Sequence, residues 1–202
     1  MKNLAPLVLV AATLVGCASA SRWKQQAFAF SLPVEPPAGQ PAANTLALQR
    51  VSISPLFQSR SFTYRTADNS YEHDPYAGFL IPPERALAEP IRAWLRGNGA
   101  FGRFVEPGSG LTPNLVAEVS ISELYGDFRK ASQPAGTLAI RFVFYESKDG
   151  APGRVLLDKT CAHETRLAGK TPGALMAAWE TDLRAIMEEI NSAYAKTNSS
   201  DR

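Results

Sequence analysis

The chain has 202 residues, a formal net charge of +2, 45% hydrophobic residues and 20% charged residues. This composition is typical of one folded domain with its own core, and the near-neutral charge does not favour a nucleic-acid-binding protein. A largely apolar run, Leu4 to Val15, begins the chain but is shorter than the ~20 residues that span a bilayer.

The N-terminus, residues 1–16, is predicted to be a lipoprotein signal peptide. Lys2 gives it a positive start, and its apolar run ends in Leu14-Val15-Gly16-Cys17. This order resembles the bacterial lipobox, in which the cysteine thiol receives a diacylglycerol and the signal is cut just before that cysteine. We therefore predict Cys17 as the lipid attachment site. The alternative is an ordinary secretory signal with an incidental cysteine.

Residues 17–25 are predicted to be a tether between the lipid and the folded part. Fully extended, this tether reaches only about 30 Å, so the domain is expected close to its bilayer. Several acyl chains, palmitate among them, hold a protein firmly to a membrane. Ala18 follows the cysteine. By resemblance to the sorting rule of many diderm bacteria, the absence of Asp there indicates the outer membrane, facing the periplasm.

Residues 26–196 are predicted to form one domain whose first half contains short strands. Alternating small, aromatic and branched residues predict strands at Gln26 to Leu32, Leu46 to Ser54 and Ser61 to Thr66. Pro33 to Ala43 is predicted to be a loop. Asp68 to Pro75 is rich in turn-forming residues and is also predicted to be a loop.

A first helix is predicted to begin at Pro82-Pro83-Glu84, because proline and glutamate are favoured in a first helical turn. Pro90 falls inside it and is expected to kink it, and Gly97 and Gly99 are expected to end it. Its apolar stripe contains Leu87, Ile91, Trp94 and Leu95.

The second half is predicted to be a meander covered by a long helix. After a short strand at Phe101 to Val105, apolar and polar residues alternate in two strands, through Leu115, Ala117, Val119 and Ile121, and through Leu138, Ile140, Phe142 and Phe144. Asp149-Gly150 indicates a hairpin that returns as Val155 to Leu167. Thr171-Pro172 begins a helix with one apolar face: Leu175, Trp179, Leu183, Ile186, Met187, Ile190 and Tyr194.

The predicted fold class follows from this order of elements. It is α+β: a mostly antiparallel sheet with two helices packed on one face, the second helix long and C-terminal. Residues 197–202 are polar and are predicted to be a disordered tail.

One motif imitates a cofactor site. Residues 97–102 spell G-x-G-x-x-G, but a dinucleotide site needs a strand before the glycines and a helix after them. Here the helix is predicted first and the strand second. We therefore interpret these glycines as a helix end and a turn, and expect no cofactor.

The sequence contains few residue patterns that would indicate a metal site or a catalytic site. Cys161 and His163 share one face of a predicted strand, and Glu72-His73-Asp74 is a polar cluster in a predicted loop, but neither offers the three or four ligands that a metal needs. The sequence has no G-x-S-x-G nucleophile motif. We expect no metal site, no catalytic residue and no enzyme, and we expect Cys161 to be a buried, inert thiol.

Taken in order, several segments resemble the ABC-type transport auxiliary lipoproteins, the family that includes paraquat-inducible protein C. The resemblance runs from about Gln26 to Tyr194. Family members often carry Trp shortly before the first helix, where this chain has Phe79-Leu80-Ile81, so no role is transferred to that place. The segments that carry the resemblance are the lipobox with its short aromatic strand, Tyr64-Arg65-Thr66, the helix ending in Phe101 and Phe104, Leu124-Tyr125-Gly126-Asp127-Phe128, and Ala177-Ala178-Trp179.

The resemblance implies an auxiliary component of an envelope transport system for lipids or other apolar molecules. Its partners would be an MCE-type (mammalian cell entry) substrate-binding protein and ABC transporter components, which this chain would anchor and dock at the membrane. A homo-oligomer, a complex of several copies of this chain, is a further alternative that the sequence leaves open. The alternatives are a lipid-binding periplasmic carrier, which needs an apolar cavity, and an envelope enzyme, which needs converging titratable groups.

Overall fold

Eight strands and two α-helices make up the part of the chain that the computed structural model describes, residues 25–33, 43–106 and 108–200. The predicted signal peptide, Cys17 and most of the predicted tether lie outside these residues, as does most of the loop predicted from Pro33 to Ala43. The elements are β1 (Gln26–Phe28), β2 (Thr45–Ile53), β3 (Ser61–Ala67), β4 (Ser70–Phe79), α1 (Pro83–Gly97), β5 (Arg103–Phe104), β6 (Leu115–Asp127), β7 (Ala135–Lys148), β8 (Ala151–Arg166) and α2 (Pro172–Ser200), with short 3-10 turns at Pro55–Phe57 and Gly99–Phe101.

The strands form one mixed sheet centred on β6. Along one side of β6 runs β7, antiparallel over the whole length of the strand, and β8 continues antiparallel beyond it. The other side of β6 pairs in parallel with β2 and then, near its end, with β3. The long ladders are antiparallel and the two helices share one face, so the predicted α+β class is confirmed.

The alternating strands are where the sequence places them. In β7 the side chains at Leu138, Ile140, Phe142 and Phe144 are fully buried. The turn to β8 uses Asp149 and Gly150 with φ of 52° and 81°, the left-handed conformations that a two-residue hairpin of this hand requires. The predicted hairpin is therefore confirmed.

The prediction of a loop from Asp68 to Pro75 is wrong, because β4 occupies most of this segment and pairs with β3. Pro75 is tolerated because the ladder is interrupted between the pairs Thr63–His73 and Ser61–Gly78. Within this bulge the Asp74 carboxylate accepts hydrogen bonds from the backbone N–H groups of Tyr76 and Ala77, at 2.8 and 2.9 Å. The side chain thus replaces pairing that proline removes. Strand β1 pairs in parallel with β4; it is shorter than predicted and ends at Phe28.

Both helices begin as predicted. Helix α1 carries Glu84 in its first turn and continues through Pro90, which is itself buried. Helix α2 follows Thr171, whose hydroxyl accepts a hydrogen bond from the backbone N–H of Ala174 at 3.1 Å. It extends to Ser200, so it passes Thr197, where the sequence predicts a disordered tail. Neither of these helices is both long and apolar enough to cross a membrane.

Aromatic rings fill the layer between the sheet and the helices. Phe101, in the 3-10 turn after α1, lies 5.1 Å from Phe144 of β7 and 4.7 Å from Tyr194 of α2, measured between ring centroids. At the other end of α2, Trp179 packs against Phe62 and Phe79 at 4.9 and 5.6 Å. These contacts join the strands and α2 into one core.

Gly102 should not tolerate a side chain. Its φ is +93°, which costs a non-glycine residue about 1–2 kcal/mol. A Cβ there would also lie 2.1 Å from the carbonyl oxygen of Asn44, the atom that accepts the hydrogen bond from Arg103 N–H and joins β5 to β2. We expect Gly102→Ala to lower the free energy of unfolding by more than about 2 kcal/mol in urea denaturation.

Gly110 is the matched control for this substitution. Its φ is also positive, at +70°, but nothing lies within 4 Å of a Cβ built on it. Gly110→Ala should therefore cost only the strain of the left-handed backbone, and less than Gly102→Ala. Equal losses for the two variants would show that the approach of Asn44 to Gly102 has no energetic weight.

Candidate docking site

The glycines at 97–102 lie between a helix and a strand in the order that the sequence predicts. Gly97 ends α1, and β5 begins at Arg103. The structure therefore places a helix C-terminus at these glycines, where a dinucleotide phosphate would need a helix N-terminus.

Glu72, His73 and Asp74 lie in β4 and point to alternate faces, so they do not form the loop cluster that the sequence suggests. The Nδ1 of His73 lies 3.2 Å from the hydroxyl of Thr63, and the Tyr64 hydroxyl donates to Asp74 Oδ2 at 2.5 Å. Burial and the Asp74 carboxylate raise the pKa of Tyr64 above its usual value. Among the described residues, no three His, Cys, Asp or Glu side chains are grouped to hold a metal ion.

Cys161 and His163 share one face of β8, as predicted, and the structure shows that this face packs against α2. Both lie beside Glu189, whose carboxylate pairs with Lys159 at 3.0 Å and with His163 Nε2 at 3.1 Å. The hydrogen bond from Lys159 is the main cause that lowers the pKa of Glu189. Cys161 is only 2% exposed, and burial raises the pKa of its thiol to about 11. The thiol is therefore protonated near neutral pH, as expected for an inert cysteine.

Asp182 is a buried acidic residue that the sequence analysis missed. It is 1% exposed; its Oδ1 accepts a hydrogen bond from the Thr165 hydroxyl at 2.6 Å, and its Oδ2 has no hydrogen-bond partner in the described part of the chain. Burial raises the pKa of this carboxyl to about 6. A signal was present, since Asp182 follows Trp179 by three residues and precedes Ile186 by four, which places it on the apolar stripe.

One side of β2, from Ala47 to Val51, has no strand partner among the described residues. Strand β5 pairs with this side of β2 only at Thr45 and Leu46. Beyond Leu46, no described strand pairs with this side of β2. The uncovered stretch is about five residues, or roughly 16 Å, long. An edge of this kind presents backbone N–H and C=O groups that can pair with another strand.

A cavity of about 420 Å³ lies beside this edge, next to the segment that connects β5 to β6. Ala47 and Val116 pair with each other across the strands, and their neighbours Leu46, Leu48, Leu115 and Ala117 belong to the core. Ala47 and Val116 therefore lie on the outer face of the sheet, away from the helices. The apolar side chains that line the cavity are Ala47, Leu48, Val105, Leu111, Pro113 and Val116.

A second cavity, of about 350 Å³, lies on the helix side of the same edge, between β2 and α1. Leu48 and Gln49 line both cavities, so the two flank one stretch of strand. Arg92 of α1 lies in its wall and donates from Nη1 to Glu89 at 2.6 Å. The Nε of Arg92 is buried and has no hydrogen-bond partner among the described residues.

Large exposed apolar side chains border this region. Leu111, 56% exposed, lines the outer cavity, and Ile81, also exposed, lines the inner one with Leu80 beside it in the chain. We name the edge from Ala47 to Val51, together with its two cavities, the edge groove. It offers backbone hydrogen bonds, apolar pockets and a guanidinium group, which are the means of binding a polypeptide.

The fold and the groove define a two-layer α+β domain with an open strand edge. This fold is similar to that of a Xanthomonas campestris protein of the family DUF330, with a TM-score of 0.72 and 18% identity over 87% of this chain and 98% of that one. An uncharacterised protein aligns at a TM-score of 0.59 and 12% identity, over 79% of this chain and 98% of that one. At such identities the likeness shows the fold alone.

A lipoprotein from Neisseria meningitidis aligns at a TM-score of 0.30 and 13% identity, over 73% of this chain and 99% of that one, which is too low to argue a shared fold. No family model matches the sequence. No curated protein matches it significantly.

Proposed function

We propose that the protein is an outer-membrane lipoprotein that faces the periplasm and serves an ABC transporter as an auxiliary component. In this role it is anchored through Cys17 and docks an MCE-type substrate-binding partner of a system that moves lipids or other apolar molecules. The lipobox supports the anchor, the sequence resemblance supports the transport system, and the edge groove carries the docking role.

The positions of two resemblance segments support the proposal further. Tyr64-Arg65-Thr66 lies in β3, and its first two residues pair with Gly126 and Asp127 at the end of β6. The rings of Tyr64 and Phe128 are 5.1 Å apart, and the Arg65 guanidinium lies 5.8 Å from the centre of the Tyr125 ring. Segments separated by about 60 residues in the sequence thus form one junction, as a shared fold would require.

The alternative of a lipid carrier fits the structure less well. A carrier needs an apolar cavity between its layers, and here rings such as Phe101, Phe144, Tyr194 and Trp179 fill that layer. The enzyme alternative finds no support at Cys161, whose buried thiol is protonated. The edge groove therefore favours the docking role over the carrier and the enzyme alternatives.

The anchor is tested at Cys17. In a diderm bacterium, the full-length chain should incorporate radiolabelled palmitate and sediment with the outer membrane. Cys17→Ala should lose the label because it removes the acylated thiol. Cys161→Ala is the matched control, since Cys161 is buried and should leave the labelling unchanged. Palmitate in the Cys17→Ala protein, or none in the wild type, would refute the anchor.

The transport role is tested separately by recovery of partners. The wild-type lipoprotein, cross-linked in membranes and purified, should bring down a chain with an MCE-type domain or a transporter permease. Recovery of neither, from membranes in which the protein is labelled with palmitate, would refute the transport role while leaving the anchor intact.

A further inference from the structure

We infer that one end of the sheet rests on the membrane surface, where its basic side chains contact anionic lipid headgroups. This inference rests on the proposed lipid anchor at Cys17 and adds which part of the domain faces the bilayer. Three features carry it: the place where the chain enters the sheet, the charge of the connections at that end, and the exposed apolar side chains beside them.

Five strands meet in a common row at this end of the sheet. Beyond the row lie three connections: the β3–β4 turn at 68–69, the β6–β7 connection at 128–134 and the β8–α2 connection at 167–171. We name the row and these connections the basic end. The residues of the row pair in order from β4 through β3, β6 and β7 to β8: Tyr71, Arg65, Asp127, Ala135 and Arg166.

The chain enters the sheet from the side of the basic end. Strand β1 runs parallel to β4, with Gln26 beside Ala77 and Phe28 beside Phe79. The start of β1 therefore points in the same direction as the start of β4. Strand β4 begins at Ser70, directly after the turn that belongs to the basic end.

The length of the predicted tether places the lipid at the same end. Gly78 of β4 pairs with β1 on one side and with Ser61 of β3 on the other. Ser61 lies only about 13 Å from Arg65 of the row along β3. A tether of residues 17–25 reaches about 30 Å, which is enough to bring the lipid to the row. The opposite end, where β6 begins at Leu115, lies about 40 Å from the row, and the tether would have to reverse its direction to reach it.

Basic residues outnumber acidic residues at this end. The two acidic residues, Asp68 and Asp127, both pair with Arg129, at 3.0 and 2.6 Å. The tether adds two basic residues and no acidic one, whereas the rest of the mature chain contains more acidic than basic residues. The basic residues of the end are Arg65, Arg129, Lys130, Arg166 and Lys170.

Three of these basic side chains can reach headgroups. Lys130, Arg166 and Lys170 are exposed, and none of them forms an ion pair with another described residue. The exposed Glu72 and Glu164 lie one and two residues behind the row, on the side away from the connections. Lysine and arginine close to an anionic membrane surface are attracted to it, so this distribution of charge favours an orientation with the connections toward the lipid.

Exposed apolar side chains lie beside the row. Tyr71 is 40% exposed, and its ring lies 5.9 Å from that of Tyr125 and 6.1 Å from that of Phe57, measured between centroids. Leu56, next to Phe57 in the 3-10 turn, is 68% exposed, more than any other large apolar side chain in the described part of the chain. Tyrosine favours the headgroup region and leucine the acyl boundary below it. The basic end thus combines apolar and basic side chains, as surfaces that bind membranes do.

The test measures which end of the domain faces the lipid. The acylated lipoprotein, carrying one introduced cysteine labelled with nitrobenzoxadiazole, is reconstituted on vesicles of equal parts phosphatidylglycerol and phosphatidylcholine that contain a headgroup-spin-labelled quencher. A probe at Ser132→Cys, in the β6–β7 connection, should lose most of its fluorescence. A probe at Ala151→Cys is the matched control, because this exposed residue lies at the opposite end of β7 and β8, and it should keep its fluorescence. The wild type should take no label, since Cys161 is buried and Cys17 is acylated.

Charge reversal tests the role of the basic side chains. Lys130→Glu combined with Lys170→Glu should restore most of the fluorescence of the probe at Ser132→Cys, because attraction to the headgroups becomes repulsion. Arg103→Glu combined with Lys148→Glu is the matched control, since both residues are exposed at the opposite end of the sheet, and quenching should be unchanged. Vesicles of phosphatidylcholine alone should restore the fluorescence of the unreversed protein as well, because their surface carries no net charge.

Four results would overturn the inference. They are similar quenching of the two probes, stronger quenching at Ala151→Cys, quenching of neither probe, and quenching at Ser132→Cys that either the charge reversal or the neutral vesicles leave unchanged. The vesicles contain no other protein, so quenching of neither probe would leave the basic end as a surface for a protein partner instead.

The inference and the proposed anchor fail in different experiments. If Cys17 carries no palmitate, the anchor is wrong and the inference falls with it. If Cys17 is acylated and the two probes respond alike, the inference is wrong while the anchor and the transport role stand.

Discussion

Replacing Trp179 by alanine is expected to lower the free energy of unfolding by about 3–5 kcal/mol, the cost of removing a large aromatic side chain from a packed core. Trp179 has no exposed surface, and its ring contacts Phe62 and Phe79. Its indole N–H donates to the backbone carbonyl of Tyr125 at 3.2 Å, so the substitution also leaves a buried acceptor without its donor. Urea denaturation followed by circular dichroism measures the loss.

Trp94→Ala is the control of the same residue type. Trp94 is only partly buried on α1, and its ring lies 5.9 Å from that of Phe101, measured between centroids. Its removal should cost about 1–2 kcal/mol, since less apolar surface returns to water. Equal losses at Trp94 and Trp179 would show that the complete burial of Trp179 and its hydrogen bond to Tyr125 add nothing to stability.

The sequence predicted the long, regular elements because their patterns are local. Strand β7 carries large apolar residues at every second position from Leu138 to Phe144, α2 repeats apolar residues every three or four positions, and both patterns follow directly from backbone geometry. The hairpin at Asp149 and Gly150 was predictable for the same reason, since two adjacent residues determine it.

The pairing of β2 and β3 with β6 was not predictable from such patterns. It joins residues far apart in the chain, as in the pair Leu46–Leu115, and alternation alone carries no information about a strand's neighbour. The error at β4 has a different cause. Turn-forming residues at Asp74 and Pro75 here form a bulge within a strand, and only the hydrogen bonds from Tyr76 and Ala77 to the Asp74 carboxylate reveal it.

The edge groove was beyond sequence analysis because it depends on where strand pairing stops. Strand β5 covers only Thr45 and Leu46 of β2, and the side chains that border the groove come from segments far apart in the sequence, as Ala47, Arg92 and Leu111 illustrate. By contrast, Cys17 could be predicted as a lipid attachment site from the sequence alone, because the lipobox is a run of adjacent residues and does not depend on the fold. Asp182 falls between these cases, since its position on the apolar stripe of α2 was visible and the missing partner of its Oδ2 was not.

Asp182 should make the protein less stable at neutral pH than at mildly acidic pH. Burial raises the pKa of Asp182 to about 6 in the folded protein, and the usual value in an unfolded chain is near 3.9. The folded state therefore binds this proton more tightly, and the contribution of Asp182 to stability rises as the pH falls from about 7 to about 4. Above pH 7 the carboxylate is charged in both states, and its burial costs up to about 3 kcal/mol.

Asp182→Asn is expected to raise the free energy of unfolding at pH 7 by about 1–2 kcal/mol, because the amide is neutral and its oxygen still accepts the hydrogen bond from Thr165. The gain is smaller than the full cost of the charge, since the amide NH₂ also needs partners. Urea denaturation of both proteins between pH 7 and pH 4 should show the difference shrinking as Asp182 becomes protonated in the wild type. Asp158→Asn is the control, because that exposed carboxylate pairs with Arg141, which lowers its pKa, and its loss should not stabilise the protein at pH 7. A constant difference between wild type and Asp182→Asn across this range would mean that Asp182 does not titrate there, and that its burial carries no charge penalty.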